Sequence, residues 1–218
     1  MLQLVGALAL GYLVGSIPTG VLVGRLYRGI DIRERGSGSS GGTNVARVLG
    51  WRPGILVVAL DVFKGFLGAR VGGWIGGTGG PLEAGDVVAL AGLFTVLGHV
   101  LPLFARFHGG KGVAPAAGVL LAVSPMALSI AAGAFVVWLA ACRVVSVASI
   151  GSSIVLFVVL AILRWGVGKE IPDGLLLVSL ALSGVIIVAH RSNLARLVAG
   201  KEPTVGRSLL DRDGSGSP

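Results

Sequence analysis

Residues 113–142 read VAPAAGVLLAVSPMALSIAAGAFVVWLAAC, an uncharged run with Ser124-Pro125 near its middle. A bilayer core about 30 Å thick is crossed by roughly 20 helical residues, so the run is too long for one simple span. Proline lacks a helix donor and clashes with the preceding turn. The stretch therefore reads as two short helices joined by a tight turn, or as a bent re-entrant pair. That choice fixes the side of every later loop.

The whole chain demands a membrane. Of its 218 residues, 54% are hydrophobic and 13% are charged, where a soluble domain carries about 25% charged residues. Mean hydropathy is +0.89. Thirty-seven glycines without a G-X-Y period exclude collagen, and the apolar content excludes a disordered chain. A lone Cys142 provides no disulfide framework and no thiolate zinc site. The net charge of +8 in this setting points to anionic lipid or phosphate-bearing substrates, not to nucleic acid.

Besides 113–142, the charge-poor regions are 2–24, 54–75, 86–105, 144–163 and 174–190. The first lacks a basic n-region and runs directly into a polar loop, so it does not read as a cleaved signal peptide. Arg25, Arg28, Arg33, Arg35, Arg47 and Arg52 follow it, and Arg106 and Lys111 follow the third region. Arg143 and the tail residues Arg191, Arg196, Lys201, Arg207 and Arg212 lie on the same side, whereas Glu83, Asp86, Glu170 and Asp173 mark the opposite connections, where Arg164 and Lys169 are the basic exceptions and Arg70 lies near a span end. By the positive-inside rule the N-terminus is outside and the C-terminus in the cytoplasm. That parity holds only if 113–142 is split, which gives an all-α protein of seven transmembrane helices. Helix 113–123 would then cover only about 16 Å and must be buried among its neighbours. Residues 1–206 are expected to form one membrane domain, with 207–218 a disordered tail.

This arrangement gathers polar chemistry at the cytoplasmic side. The run Gly36-Ser37-Gly38-Ser39-Ser40-Gly41-Gly42-Thr43-Asn44, with Arg47 after it, has the composition of an anion-binding loop. Glycine lets amides approach an anion, the hydroxyls add donors, and an arginine adds a charge-assisted contact. A helix starting near Thr43 would contribute its N-terminus. The other reading is a flexible linker. A literal match of 36–41 to the dinucleotide fingerprint is discounted, because spans flank it in place of a strand–helix unit. Gly109-Gly110-Lys111-Gly112 is not a phosphate loop of the nucleotide-hydrolysing type, since Gly112 follows the lysine in place of Ser or Thr. Lys111 reads either as an anion ligand or as a snorkelling anchor.

Asp61 and Lys64 lie one helical turn apart, as a structural ion pair or a substrate contact. Ser149 is near enough to the loops to meet a ligand, while Ser152 and Ser153 suit helix packing. His190 and Asn193 open a short amphipathic helix. His99 reads as a packing residue at a helix end or as a site residue. No histidine has an Asp five places on, no His/carboxylate cluster has metal-ligand spacing, and no cofactor is implied.

The chain resembles the bacterial acyl-phosphate:glycerol-3-phosphate acyltransferases. The resemblance rests on Gly-Ser-Gly-x-x-Gly-x-Thr-Asn-Val-x-Arg at 36–47 and Gly-Gly-Lys-Gly-Val-Ala at 109–114. It extends from Gly15-Ser-Ile-Pro18 through Asp61-Val-Phe-Lys-Gly65 and Gly98-His99 to Gly200-Lys-Glu202. The pattern differs at Ser39-Ser40, Gly42, His108, Pro115 and Ala189. The resemblance implies a seven-span inner-membrane enzyme that acylates the 1-hydroxyl of glycerol 3-phosphate from acyl phosphate, without cofactor or obligate protein partner. It assigns catalytic roles to Ser37, Arg47, Lys111 and His190. Substrate binding would fall to Gly36, Gly38, Gly41, Thr43, Asn44, His99, Gly109, Gly110, Ser149 and Asn193. The proton acceptor is left open between a substrate phosphate, His99 and His190. The rival reading is an organic-phosphate transporter, whose broken helices also present glycine-rich ends to anions.

Overall fold

The computed structural model describes residues 1–76 and 82–205, and the described residues form helices without strands. The helices are α1 (Leu2–Gly15), α2 (Thr19–Arg28), α3 (Gly42–Leu49), α4 (Trp51–Gly76) and α5 (Ala84–Val100). They continue with α6 (Val113–Val123), α7 (Pro125–Cys142), α8 (Val145–Ala161), α9 (Asp173–Ala189) and α10 (Arg191–Val198). The expected tail, 207–218, lies outside the described residues.

The split at Ser124-Pro125 is present. Ser124 Oγ accepts from Ala127 N at 3.2 Å, and Pro125 opens α7, where a missing N–H costs nothing. The first span departs from the expected continuous helix. It breaks between α1 and α2, where Pro18 cannot continue the ladder and Ser16 Oγ donates back to Tyr12 O at 2.8 Å. A π-helical turn at Ile162–Gly166, which no residue pattern signals, ends α8.

Among the described residues, four segments are long and apolar enough to cross a membrane: Leu2–Arg28, Ala84–Ala105, Pro125–Cys142 and Val145–Gly166. The pair α9–α10, bent by 57°, would be a fifth. The remaining two expected spans are α4 and α6. Helix α4 has 26 residues, about 39 Å, but carries Asp61 and Lys64 in its middle. Helix α6 has only 11 residues. Both pack one face against other helices, although α4 leaves Ile55, Phe63 and Trp74 exposed on the other. Helix α4 packs on α1, α5 and α6, and α6 lies flush on α4 because facing glycines leave no side chain between them. A Cβ on Gly65 would sit 2.1 Å from Pro115 O, and one on Gly118 would sit 1.9 Å from Val62 O.

Three apolar clusters hold the bundle. Val96, Val119 and Leu182 join α5, α6 and α9; Leu120, Ala127, Leu156 and Leu175 join α6 through α9. Val21, Ile32, Val45 and Val57 lock α2 and α3 onto α4. Serines stitch α8 to α9, with Ser183 Oγ donating to Ser153 O at 2.8 Å, which matches the packing role expected of Ser153. Helix α7 differs from its neighbours in burying only Ala127 fully.

The α4–α6 contact predicts a contrast. Gly118→Val should lower stability by about 1–3 kcal/mol through overpacking. Gly133→Val on α7, where an added Cβ would meet nothing within 4 Å, should leave it nearly unchanged. Thermal unfolding followed by tryptophan fluorescence in detergent checks both.

Candidate active site

A cavity of about 670 Å³ opens among α3, α6, α7, α8 and α9. Its walls bring together Ser37, Gly41, Thr43, Asn44, Arg47, His99, Lys111, Ser149, His190 and Asn193. Three distant glycine-rich or polar segments thus meet in one place. Below them the lining is apolar, with Leu120, Leu128, Phe135, Leu156 and Leu182.

The first loop is a scaffold more than an amide cradle. Asn44 is buried, and its Nδ2 donates to Ile32 O, Arg35 O and Ser39 O at 2.9–3.2 Å, while its Oδ1 accepts from Ser37 N at 2.8 Å. Both amide hydrogens and one oxygen lone pair are engaged by the protein, so Asn44 organises the loop from its place on the cavity wall. The Gly38, Ser40 and Gly41 amides likewise donate to Arg35 O, Gly109 O and Ser39 Oγ. Gly36 and Gly38 have φ of +59° and +76°, a conformation that excludes most side chains. They shape the turn without lining the cavity. Ser37, Thr43 and Arg47 carry the loop's side chains to the cavity wall. Helix α3 begins at Gly42, one residue before the expected start. Of the departures from the family pattern, Ser39 stays within its loop, and His108 Nδ1 lies 2.6 Å from Arg106 O.

Gly109 and Gly110 also lie behind the lining. Gly110 N donates to His99 O at 3.1 Å, and Gly109 O accepts from Ser40 N at 3.4 Å. Their contribution is backbone placement of Lys111, which does line the cavity. Burial pushes the Lys111 ammonium down to about 8; Glu202 opposes that shift, while Arg196 and Arg47 add to it. Lys111 and Arg47 thus line the cavity close to Glu202 and its partner Arg196, a setting that suits a phosphate anion.

The carboxylate is Glu202, which the sequence reading left out of the site. Ser146 Oγ and Asn193 Nδ2 donate to its Oε1 at 2.8 and 2.5 Å, and Arg196 Nε donates to Oε2 at 2.9 Å. Burial works against the charge, but these three donors outweigh it and hold the carboxyl below its ordinary range. The signal was its place in the Gly200-Lys-Glu202 motif. Asn193 Oδ1 is buried without a hydrogen-bond partner. His190 stands at the α9–α10 bend, and its Nδ1 lies 2.8 Å from Ile186 O. A carbonyl only accepts, so Nδ1 carries the proton and Nε2 has the lone pair. Ser149 Oγ donates to Val145 O at 2.8 Å.

Asp61 and Lys64 form the expected ion pair at 2.9 Å, both buried. Asp61 also accepts from Thr19 Oγ1 at 2.5 Å and lies 3.5 Å from His99 Nδ1. His99 is therefore held from behind by a carboxylate.

A polar wall carrying Arg47 and Lys111, continuous with an apolar lining inside a helical bundle, is the cavity of an integral membrane protein. Residues 5–200 match the family model described as glycerol-3-phosphate acyltransferase. A glycerol-3-phosphate acyltransferase of Synechococcus elongatus is 42% identical over 212 residues, covering 96% of this chain and 98% of its own. One from Salinibacter ruber is 40% identical over 186 residues, 81% of each chain. The crystal structure of PlsY (YgiH), an integral membrane glycerol 3-phosphate acyltransferase, superposes in its glycerol 3-phosphate form with a TM-score of 0.82. That pair is 35% identical, covering 97% of this chain and 99% of the other. The chain belongs to the glycerol-3-phosphate acyltransferase family and is a membrane-embedded acyltransferase.

The lowered Lys111 predicts a pH effect with a definite sign. The ammonium is charged below about 8 and neutral above it, so affinity for inorganic phosphate should fall as pH rises through that value. Lys111→Arg, which stays charged throughout, should abolish the dependence. Calorimetric titration of phosphate between pH 8 and 10, where phosphate itself stays mostly dianionic, measures both.

Proposed function

We propose that this chain transfers a fatty acyl group from acyl phosphate to the 1-hydroxyl of sn-glycerol 3-phosphate, giving lysophosphatidic acid and inorganic phosphate. This is the first acylation step of phospholipid synthesis. The observation that carries the reading is the single cavity whose cationic head continues into an apolar tail. Relatives carry the glycerol 3-phosphate specificity in their names, and the related PlsY structure has also been solved in a lysophosphatidic acid form.

Acyl phosphate is a mixed anhydride, already activated, so no enzyme-bound acyl intermediate is needed. The 1-hydroxyl oxygen attacks the carbonyl carbon, the carbon–oxygen bond to phosphate breaks, and phosphate leaves with the electron pair. The hydroxyl proton passes to a phosphate oxygen or to His190 Nε2. Catalysis then consists of positioning two anions together and neutralising the charge that builds on the leaving phosphate. Ser37, Arg47 and Lys111 surround one end of that path, and Ser149, His190 and Asn193 the other. The acyl chain occupies the apolar lining. The charge bias of the loops supports a site facing the cytoplasm in the inner membrane, with the N-terminus outside.

Purified protein given acyl phosphate and glycerol 3-phosphate should release phosphate and form lysophosphatidic acid, and acyl-CoA should not replace the donor. Arg47→Ala and Lys111→Ala should each lose about 100-fold or more in turnover, the scale of one positioned charge-stabilising contact. A folded wild-type sample that releases no phosphate, or that exchanges labelled glycerol 3-phosphate across liposomes without converting it, rejects the reading.

A further inference from the structure

We propose that the buried cluster of Asp61, Lys64, Thr19 and His99 is a positioning centre that fixes the spacing between the two glycine-rich loops, and so between Arg47 and Lys111. The inference rests on the reading of those two cations as phosphate ligands.

The contacts form a closed circuit. Asp61 Oδ1 takes the Thr19 hydroxyl at 2.5 Å and lies 3.5 Å from His99 Nδ1. His99 O accepts from Gly110 N at 3.1 Å. Gly109 and Gly110 can press against His99 only because they lack side chains: a Cβ on either would lie 2.0 Å from His99 O or Nε2. Gly109 O takes Ser40 N from the first loop at 3.4 Å. Ser40 O in turn packs on Gly20, where a Cβ would lie 1.8 Å away. Gly20 is the neighbour of Thr19, which closes the ring at Asp61. Lys64 ties the ring to the broken first span, since its Nζ donates to Ile17 O at 2.9 Å while pairing with Asp61.

Packing alone does not account for this. A carboxylate and an ammonium held within a helix bundle are retained at a desolvation cost that an apolar pair would avoid. What the charged pair adds is direction: one oxygen fixes a hydroxyl on α2 and an imidazole on α5, and each of these carries one loop. His99 acts here through its backbone carbonyl and the ring beneath Gly110.

Asp61 and His99 line the cavity whereas Thr19 and Lys64 do not, which makes Thr19 the clean handle. Thr19→Val removes one hydroxyl and preserves shape. It should raise the KM for glycerol 3-phosphate and the inhibition constant of inorganic phosphate about tenfold, the scale expected of a small misplacement of binding groups. Asp61→Ala with Lys64→Met removes both charges together, leaving neither unpaired, and should have a larger effect in the same direction. In both variants the alkaline limb of kcat/KM, set by Lys111, should move to higher pH as the loosened ammonium gains water. Hydrogen exchange in segments 36–41 and 105–112 should quicken, with α8 and α9 unchanged. Should the double variant fail to fold, Thr19→Val alone decides. If the wild type transfers acyl groups but Thr19→Val matches it in KM, limb and exchange, the positioning centre is wrong and the function stands. If the wild type makes no product, the functional reading falls, and loop exchange in Thr19→Val still decides the structural circuit.

Discussion

A carboxylate taken out of water must collect several donors, and two of them, Asp61 and Glu202, organise the working end of this bundle. Asp61 draws in Thr19, Lys64 and His99 from three helices. Glu202 draws in Ser146, Asn193 and Arg196 from α8 and α10. Each satisfies its own charge only by bringing separate pieces of chain to one point. Between the two lies the cavity with Lys111 and Arg47.

Much of the fold was legible because membranes enforce simple rules. Backbone groups in hydrocarbon must be satisfied internally, so long apolar runs could be read as helices. Ser124-Pro125 marked a break because Ser is a cap and Pro an N1 residue, and both do those jobs here. Pro18 carried the same chemistry but sat inside an apolar run, so the kink between α1 and α2 was hidden. The Asp61–Lys64 pair was readable from its i, i+3 spacing alone.

The site was legible as segments but not as individual roles. Arg47, Lys111 and His190 do reach one cavity. Asn44 has the same functional group as Asn193, yet its Oδ1 accepts from Ser37 N and its Nδ2 donates to loop carbonyls, while Asn193 Oδ1 has no donor. Residue type cannot separate those cases, because the difference is which groups surround the amide in space. The glycines illustrate the same limit. Composition suggested amides aimed at an anion, whereas Gly36, Gly38, Gly109 and Gly110 serve turns and close approaches behind the lining. Glu202 was overlooked because its partners lie 6 to 56 positions away in sequence.

The brevity of α6 bears on how the protein is made. Eleven residues reach roughly halfway across hydrocarbon, so this helix has no stable transmembrane position by itself during synthesis. It must wait for α7 and enter with it as a hairpin, then slide against the glycine face of α4, which has already been threaded. Lys111, at the base of that hairpin, acquires its surroundings only afterwards. Catalytic competence is therefore a late event in biogenesis, reached once the last helices have joined the first.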